Sequence, residues 1–311
     1  MNLVISEFMD DAAVAWLAAK FDTRYDAALV DKPAELAVAL AAADALIVRN
    51  RTRVDRALLD HAPRLRVVGR LGVGLDNIDV AACEERGIRV IPATGANALA
   101  VAEYVIVAAM LLLRGAFGST TVVGRGDWPR AALSHGREID GKTLGVIGFG
   151  GIGRLVARRA RVLGMRAIAF DPQIPADAAV RAEEQVVPRP LADLLRDADV
   201  VTLHVPLTDA TRGLIDGEKL ALMKADAVLI NTARGGIVDE AALAAALKSG
   251  KLCGAALDVF ATEPLPPGSP LADCPRLILT PHVAGVTRES NLRVSTLIAS
   301  EVAAELERPR P

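Results

Sequence analysis

The segment GFGGIG, Gly148 to Gly153, stands between the apolar run LGVI and a helical pattern, and glycines at its first, third and sixth positions suit one kind of chemistry. The first glycine permits a tight turn, the second lets backbone approach a pyrophosphate, and the third lets helix and strand pack closely. The helix N-terminus that follows attracts phosphate. A bare glycine pattern of this kind also fits an ordinary turn, so its context matters. Asp171 ends the next apolar run, RAIAFD, 23 positions after Gly148. That is close to the ~20 at which a carboxylate meets the adenosine ribose hydroxyls. Neither Pro172 nor Gln173 offers the positive charge a 2'-phosphate needs, which favours NAD over NADP, although Arg154 lies nearby in sequence.

Three more ionisable residues stand just past apolar runs: Arg234 after LINTA, Glu263 after ALDVFAT and His282 after LILTP. Singly, each has a plain alternative as a loop cation, a solvated carboxylate or a strand cap. Together they suit the oxidation of a hydroxy acid. A base takes the hydroxyl proton as hydride leaves carbon, and a cation holds the carboxylate so that the carbon faces a nicotinamide. A glutamate bonded to the imidazole fixes its tautomer and favours its protonated form.

These residues need a scaffold that brings strand ends together. From the N-terminus, short β-branched runs alternate with helical patterns (LVIS, DDAAVAWLAAKF, ALIVRN, VDRALLDHA, RVVG, DVAACEERG, RVIP), which predicts a small parallel α/β unit over the first ~90 residues. Asn97 to Arg114 reads as a long helix and Gly115 to Asp140 as a polar connection. A second βα series from KTLGVIGFG to RLILTPH predicts a doubly wound sheet, and the tail from Arg288 to Arg308 is helical, with Leu292, Leu297, Ile298, Val302 and Leu306 expected to dock on the first unit. Two domains are what 311 residues suggest, with the site expected in the cleft between them.

Composition narrows the partners. Lys plus Arg number 36 against 38 Asp plus Glu, for a formal charge of −2 with no basic block, so nucleic acid and anionic lipid are not expected and a small molecule is. Cys83, Cys253 and Cys274 are too few and too scattered for a disulfide framework or a metal site, so no metal is expected and a cytoplasmic setting is. The N-terminus shows no secretory pattern, and the apolar run Tyr104 to Leu113 is shorter than the ~18 residues of a membrane span.

The motifs GFGGIG with AFDP, LINTARGGIVDEAAL, GAALDVFATEPLP and ILTPHVAGVT, with GRLGVGLDNIDVAAC and NALAVAEYV before them, closely resemble the D-isomer-specific 2-hydroxyacid dehydrogenase family, to which phosphoglycerate dehydrogenase belongs. The likeness runs over nearly the whole chain. It implies an α/β fold with a Rossmann-type doubly wound NAD-binding domain over 97–285 and a smaller flavodoxin-like α/β substrate domain, a discontinuous lid of 1–96 and 286–311 whose closure excludes water. It implies that Arg234 binds the substrate carboxylate and carbonyl, that His282 is the acid/base and Glu263 its partner, and that Val73 and Gly74 cradle the carboxylate. Cofactor contacts are implied at Gly148, Gly150, Gly151, Ile152, Gly153, Asp171, His204, Val205, Pro206, Thr232, Ala233 and Gly285, and at Asp258 toward the nicotinamide carboxamide. The helix Asn97 to Arg114 resembles the family's homodimer interface, burial within one subunit being the alternative. With the sequence ending after its final helix, a serine-sensing regulatory domain of the kind in longer phosphoglycerate dehydrogenases is not expected.

Arg49, Arg51 and Arg70 stand at strand ends of the first unit, and the resemblance gives Arg49 and Arg70 the far phosphate of a phosphoglycerate. A second anion at C3 is therefore expected on the substrate, 3-phosphoglycerate or 3-sulfolactate, with the N-terminal wording nearer the sulfolactate branch. A relative with formate or phosphite chemistry shares only the cofactor half. The other class left open is an NAD(H)-binding corepressor-like interaction protein without dehydrogenase activity.

Overall fold

The computed structural model describes residues 1–309, which separate into two compact units. One is Met1–Asn97 joined by the segment from Val286 onward, and the other is Ala98–Gly285. The first boundary thus falls after Asn97, because the long helix begins at Ala98 and not at Asn97.

The first unit has five parallel strands, β1 (Asn2–Ile5), β2 (Asp22–Tyr25), β3 (Ala45–Val48), β4 (Val67–Arg70) and β5 (Arg89–Pro92), in the order β2-β1-β3-β4-β5. Strands β3 and β4 are almost wholly apolar and buried, as strands covered on both faces must be. The C-terminal helix Arg288–Glu307 packs on β4, where a Cβ at Gly69 would lie 2.7 Å from Val302 and 2.8 Å from Ile298. Its buried stripe is Val294, Ile298, Val302 and Leu306, spaced by four. Leu292, expected to dock, is instead 48% exposed, because it lies off that stripe. Ile298 is fully buried, so Ile298→Ala costs about 2–5 kcal/mol.

The second unit has seven parallel strands, β6 (Thr143–Ile147), β7 (Arg166–Phe170), β8 (Val187–Pro188), β9 (Val200–Leu203), β10 (Val228–Asn231), β11 (Gly254–Leu257) and β12 (Leu277–Leu279), ordered β12-β11-β10-β9-β6-β7-β8. This is the doubly wound order of a dinucleotide-binding sheet with one strand added. Helices Ala98–Arg114 and Gly151–Val162 cover one face, burying Val101, Val105 and Leu112 against Val146, Val200 and Val228. Helices Leu191–Asp197, Gly217–Leu222 and Glu240–Lys248 cover the other.

Burial on its own sheet therefore accounts for much of the apolar character of Ala98–Arg114. The stretch read as a polar connection contains short helical turns at Phe117–Ser119, Thr120–Gly124 and Arg130–Leu133, with Phe117 and Trp128 exposed. Among the described residues no single helix is long and apolar enough to cross a membrane.

Candidate active site

The glycine loop sits at the carboxyl end of β6, beside β9, where the strand order reverses. Gly148 has φ +93°, and a Cβ there would lie 2.7 Å from the His204 carbonyl. A Cβ at Gly153 would lie 2.2 Å from the Gly148 carbonyl oxygen. Both glycines are therefore required by the protein's own backbone. Gly150 and Gly151 face open space, with nothing within 4 Å of an added Cβ. Gly150 is the N-cap of the 12-residue helix Gly151–Val162 and offers it no side-chain cap, so the helix presents unsatisfied N–H groups and the positive end of its dipole.

Asp171 follows β7. Its Oδ2 accepts the Phe149 N–H at 2.7 Å and its Oδ1 accepts the Gln173 N–H at 2.8 Å, so the carboxylate pins the glycine loop while each oxygen keeps a lone pair for a hydroxyl. Behind this turn, Arg181 is 4% exposed and donates to the carbonyls of Pro175, Ala169, Asp171 and Ile174. Thr232 Oγ1, past β10, is buried without a hydrogen-bond partner among the described residues, an orphan of the kind a ligand satisfies. Val205 is half-buried, Pro206 exposed and Ala233 buried, on the loops after β9 and β10. An open helix N-terminus, room at Gly150 and Gly151, an acid beside them and an orphaned hydroxyl all fit a dinucleotide.

Strands β10, β11 and β12 lie side by side, with Asn231 registered on Leu257 and Leu257 on Leu279. Arg234, Glu263 and His282 therefore leave the same edge of the sheet on adjacent loops. The Asn231 side chain braces the first loop, accepting the Ala233 N–H at 3.0 Å and donating to the Arg234 carbonyl at 2.9 Å. A Cβ at Gly235 would lie 1.8 Å from the Phe260 carbonyl oxygen, so only glycine lets this loop press on its neighbour. The Glu263 carboxylate accepts the Phe260 N–H at 3.0 Å through Oε1 and meets His282 Nδ1 at 2.8 Å through Oε2. Both side chains are about one-third exposed, at 34% and 39%. With Nδ1 committed to the carboxylate, Nε2 is the nitrogen able to exchange a proton.

His282 has φ +57°, a left-handed conformation that costs a non-glycine residue about 1–3 kcal/mol and needs the surroundings to hold it. Asp258 does so. It is 1% exposed, its carbonyl accepts the His282 N–H at 2.8 Å, and its carboxylate accepts the Thr280 hydroxyl at 2.5 Å and the N–H groups of Val283 and Ala284 at 2.8 Å each. Tyr104 extends the chain, its hydroxyl 2.6 Å from Thr280 Oγ1. The inward-facing Asp258 carboxylate thus holds the TPHVAG loop, which ends at Gly285. Nothing in sequence separates an acid that binds a ligand from one that binds its own loop.

In the first unit, Arg49 and Arg70 stand at the carboxyl ends of neighbouring strands, Val48 being registered on Arg70. Arg49 is half-buried; its Nη2 donates to Asn291 Oδ1 at 2.9 Å and its guanidinium lies 5.6 Å from the Phe8 ring centroid. Arg70 folds over Gly72 and donates to the Leu71 carbonyl at 2.9 Å. Val73 is 37% exposed and Gly74 half-buried in the same loop. Arg51 is exposed and paired with Asp31.

Residues 106–284 match the family model described as "D-isomer specific 2-hydroxyacid dehydrogenase, NAD binding domain". The chain is 56% identical to the (S)-sulfolactate dehydrogenase of Chromohalobacter salexigens over 98% of both chains. It is 44% identical to the D-3-phosphoglycerate dehydrogenase of Methanocaldococcus jannaschii over 84% of this chain, and it spans about half (49%) of that relative's length. Among solved structures, an NAD-dependent formate dehydrogenase from Staphylococcus aureus in complex with NAD superposes with a TM-score of 0.82 at 28% identity, covering 100% of this chain and 97% of that one.

Proposed function

Because the chain belongs to the D-isomer specific 2-hydroxyacid dehydrogenase family and is an NAD-dependent oxidoreductase, we propose that it oxidises a 2-hydroxy acid bearing a second anion at C3, with 3-sulfolactate ahead of 3-phosphoglycerate. The 56% identity to a sulfolactate dehydrogenase over almost all of both chains supports that order. The observation that carries the second anion is Arg49. It is a half-buried guanidinium at a strand end that, among the described residues, makes no ion pair with a carboxylate.

In this reading Arg234 holds the substrate carboxylate and carbonyl, with the backbone of Val73 and Gly74 contributing, and Arg49 and Arg70 recognise the distal anion. His282 Nε2 takes the C2 hydroxyl proton, and Glu263 stabilises the imidazolium that forms. Bound NAD would supply the hydride acceptor for C2. Gly148 to Gly153, Asp171, His204 to Pro206, Thr232 and Ala233 form its cradle.

An absorbance screen for NADH across lactate, glycerate, malate, 3-phosphoglycerate and 3-sulfolactate tests the substrate. Turnover concentrated on the two acids with a C3 phosphate or sulfonate is expected; equal turnover of lactate would end this reading. Arg49→Ala removes a charge-assisted contact of about 1.5–3 kcal/mol, so KM for the dianionic acid rises roughly 10- to 100-fold.

The proposal extends to assembly and place. Val107, 54% exposed on the helix Ala98–Arg114, and Val162, 87% exposed, line one groove with Ile106 and Leu155, an apolar face suited to a homodimer. Val107→Glu with Val162→Glu yields monomers by light scattering if so. Three free cysteines suit a reducing, cytoplasmic setting.

A further inference from the structure

Glu7, just past β1, is 4% exposed, and its carboxylate gathers four consecutive backbone N–H groups. Oε1 accepts from Arg49 at 2.8 Å and Thr52 at 2.9 Å, and Oε2 from Asn50 at 3.2 Å and Arg51 at 3.0 Å. Converging amides of this sort form an anion-binding nest. Here the anion comes from the protein's own chain. The nest lies between the carboxyl ends of β1 and β3, where the order of the five-stranded sheet reverses and where sheets of this winding hold ligands.

The turn is secured from other sides as well. Ser6 Oγ lies 2.9 Å from Thr52 Oγ1, and Asn77 Nδ2 donates to the Thr52 carbonyl at 2.7 Å. The outcome is a rigid base for Arg49, whose guanidinium stacks on Phe8, the residue after Glu7, and spends one N–H on Asn291. Burial alone pushes the Glu7 carboxyl up, but the N–H bonds from Thr52, Arg49 and Arg51 outweigh it and hold the group below the usual range. Burial likewise depresses Arg49, and the Glu7 charge opposes that. The carboxylate thus fixes the backbone of Arg49 and sustains its charge without neutralising it in a direct pair.

We propose that Glu7 is a positioning residue for substrate specificity: by holding the 49–52 turn it presents Arg49 to the distal anion of the hydroxy acid. This rests on the reading of Arg49 given above. Glu7 is too deeply buried to meet substrate itself, so its influence must pass through the turn.

The test compares full-length Glu7→Gln, Glu7→Asp, Arg49→Ala and the Glu7→Gln/Arg49→Ala double variant in steady-state kinetics on 3-sulfolactate and 3-phosphoglycerate, with lactate as the monoanion. Glutamine turns one acceptor into a donor facing two N–H groups. For Glu7→Gln the KM of the dianionic acid should rise about tenfold or more, with kcat within roughly threefold and KM for NAD unchanged. Glu7→Asp, which keeps the carboxylate, should recover part of that loss. In the Arg49→Ala background, Glu7→Gln should add nothing further.

If Arg49→Ala raises KM while Glu7→Gln does not, the positioning role is overturned and the distal-anion reading survives. If Arg49→Ala leaves KM unchanged, the distal-anion reading fails and takes this proposal with it. A Glu7→Gln penalty that persists without Arg49, or that falls equally on lactate, also overturns it. Should Glu7→Gln give no cooperative melting transition, Glu7→Asp carries the same comparisons.

Discussion

The molecule contains two parallel sheets, and each has a point where its strand order reverses; one of these points is filled and the other is open. In the first unit the Glu7 carboxylate occupies the amides that converge there, and the helix Asp11–Ala18 starts with Asp10, whose side chain accepts the Ala12 N–H. In the second unit the corresponding helix starts with Gly150, has no side-chain cap and carries no acid in its first turn. The winding logic is shared, so what separates a cofactor site from a structural turn is whether the chain supplies its own anion.

Closing the open site gives the largest expected effect. Gly150 has φ −74° and ψ −163°, which any residue adopts, and a Cβ there meets nothing within 4 Å. Gly150→Asp should therefore fold, and as an N-cap it should stabilise the helix by roughly a few tenths of a kcal/mol over glycine. It should also place a carboxylate against the pyrophosphate. Like charges so juxtaposed cost several kcal/mol, so NADH affinity by fluorescence titration should fall on the order of a thousandfold while the melting temperature holds or rises. Unchanged NADH binding would mean that the phosphates do not lie at this helix.

Opening the filled site is the converse. Glu7→Ala strands up to four N–H groups, each costing about 1–3 kcal/mol if left dry, and entering water should reduce the total to about 3 kcal/mol in urea unfolding. The emptied nest should then accept an external anion, so sulfate should raise the melting temperature of Glu7→Ala more than that of the parent. Equal shifts would show that the amides do not form an anion site. A smaller loss is expected where a carboxylate holds a loop and not a cradle: Asp258→Asn exchanges one acceptor for a donor beneath Val283 and Ala284 and should lower kcat about tenfold with NADH affinity unchanged. Unaltered kcat would separate Asp258 from the geometry of His282.

The same contrast explains what could be read in advance. Gly148 and Gly153 were legible because any Cβ there strikes backbone, and Asp171 because it follows a strand at a set distance. Arg234, Glu263 and His282 were legible only as a set, since the 2.8 Å contact between the last two depends on adjacent strands that no local pattern specifies. Glu7 carries the same local signature as Asp171, an acid closing an apolar run, yet no glycine motif marks the amides it binds. The grip of Asp258 on its own loop was hidden for a related reason: its donors lie 25 and 26 residues away on another loop. Leu292 fits the apolar composition of its helix but not the four-residue stripe that β4 selects. The turns around Phe117 and Trp128 are too short for periodicity to reveal.

The smallest effect concerns His204, which closes the open site from the β9 side. Its backbone abuts Gly148, its Nε2 lies 3.0 Å from Thr202 Oγ1, and burial pushes its pKa down from 6.5 to about 3. The native imidazole therefore stays neutral while the unfolded one takes up a proton below about pH 6.5, so stability falls as the pH drops from there toward about 3. At pH 5.5 this linkage amounts to about 1.4 kcal/mol, or roughly 3–6 °C in melting temperature for a domain of this size. His204→Gln keeps an amide for Thr202 but cannot titrate. Between pH 7.5 and 5.5 the parent should accordingly lose about that much more than the variant, other groups being common to both. Parallel curves would mean that the imidazole is protonated in the folded protein, and that the β9 side of the cradle admits water where the packing against Gly148 implies that it does not.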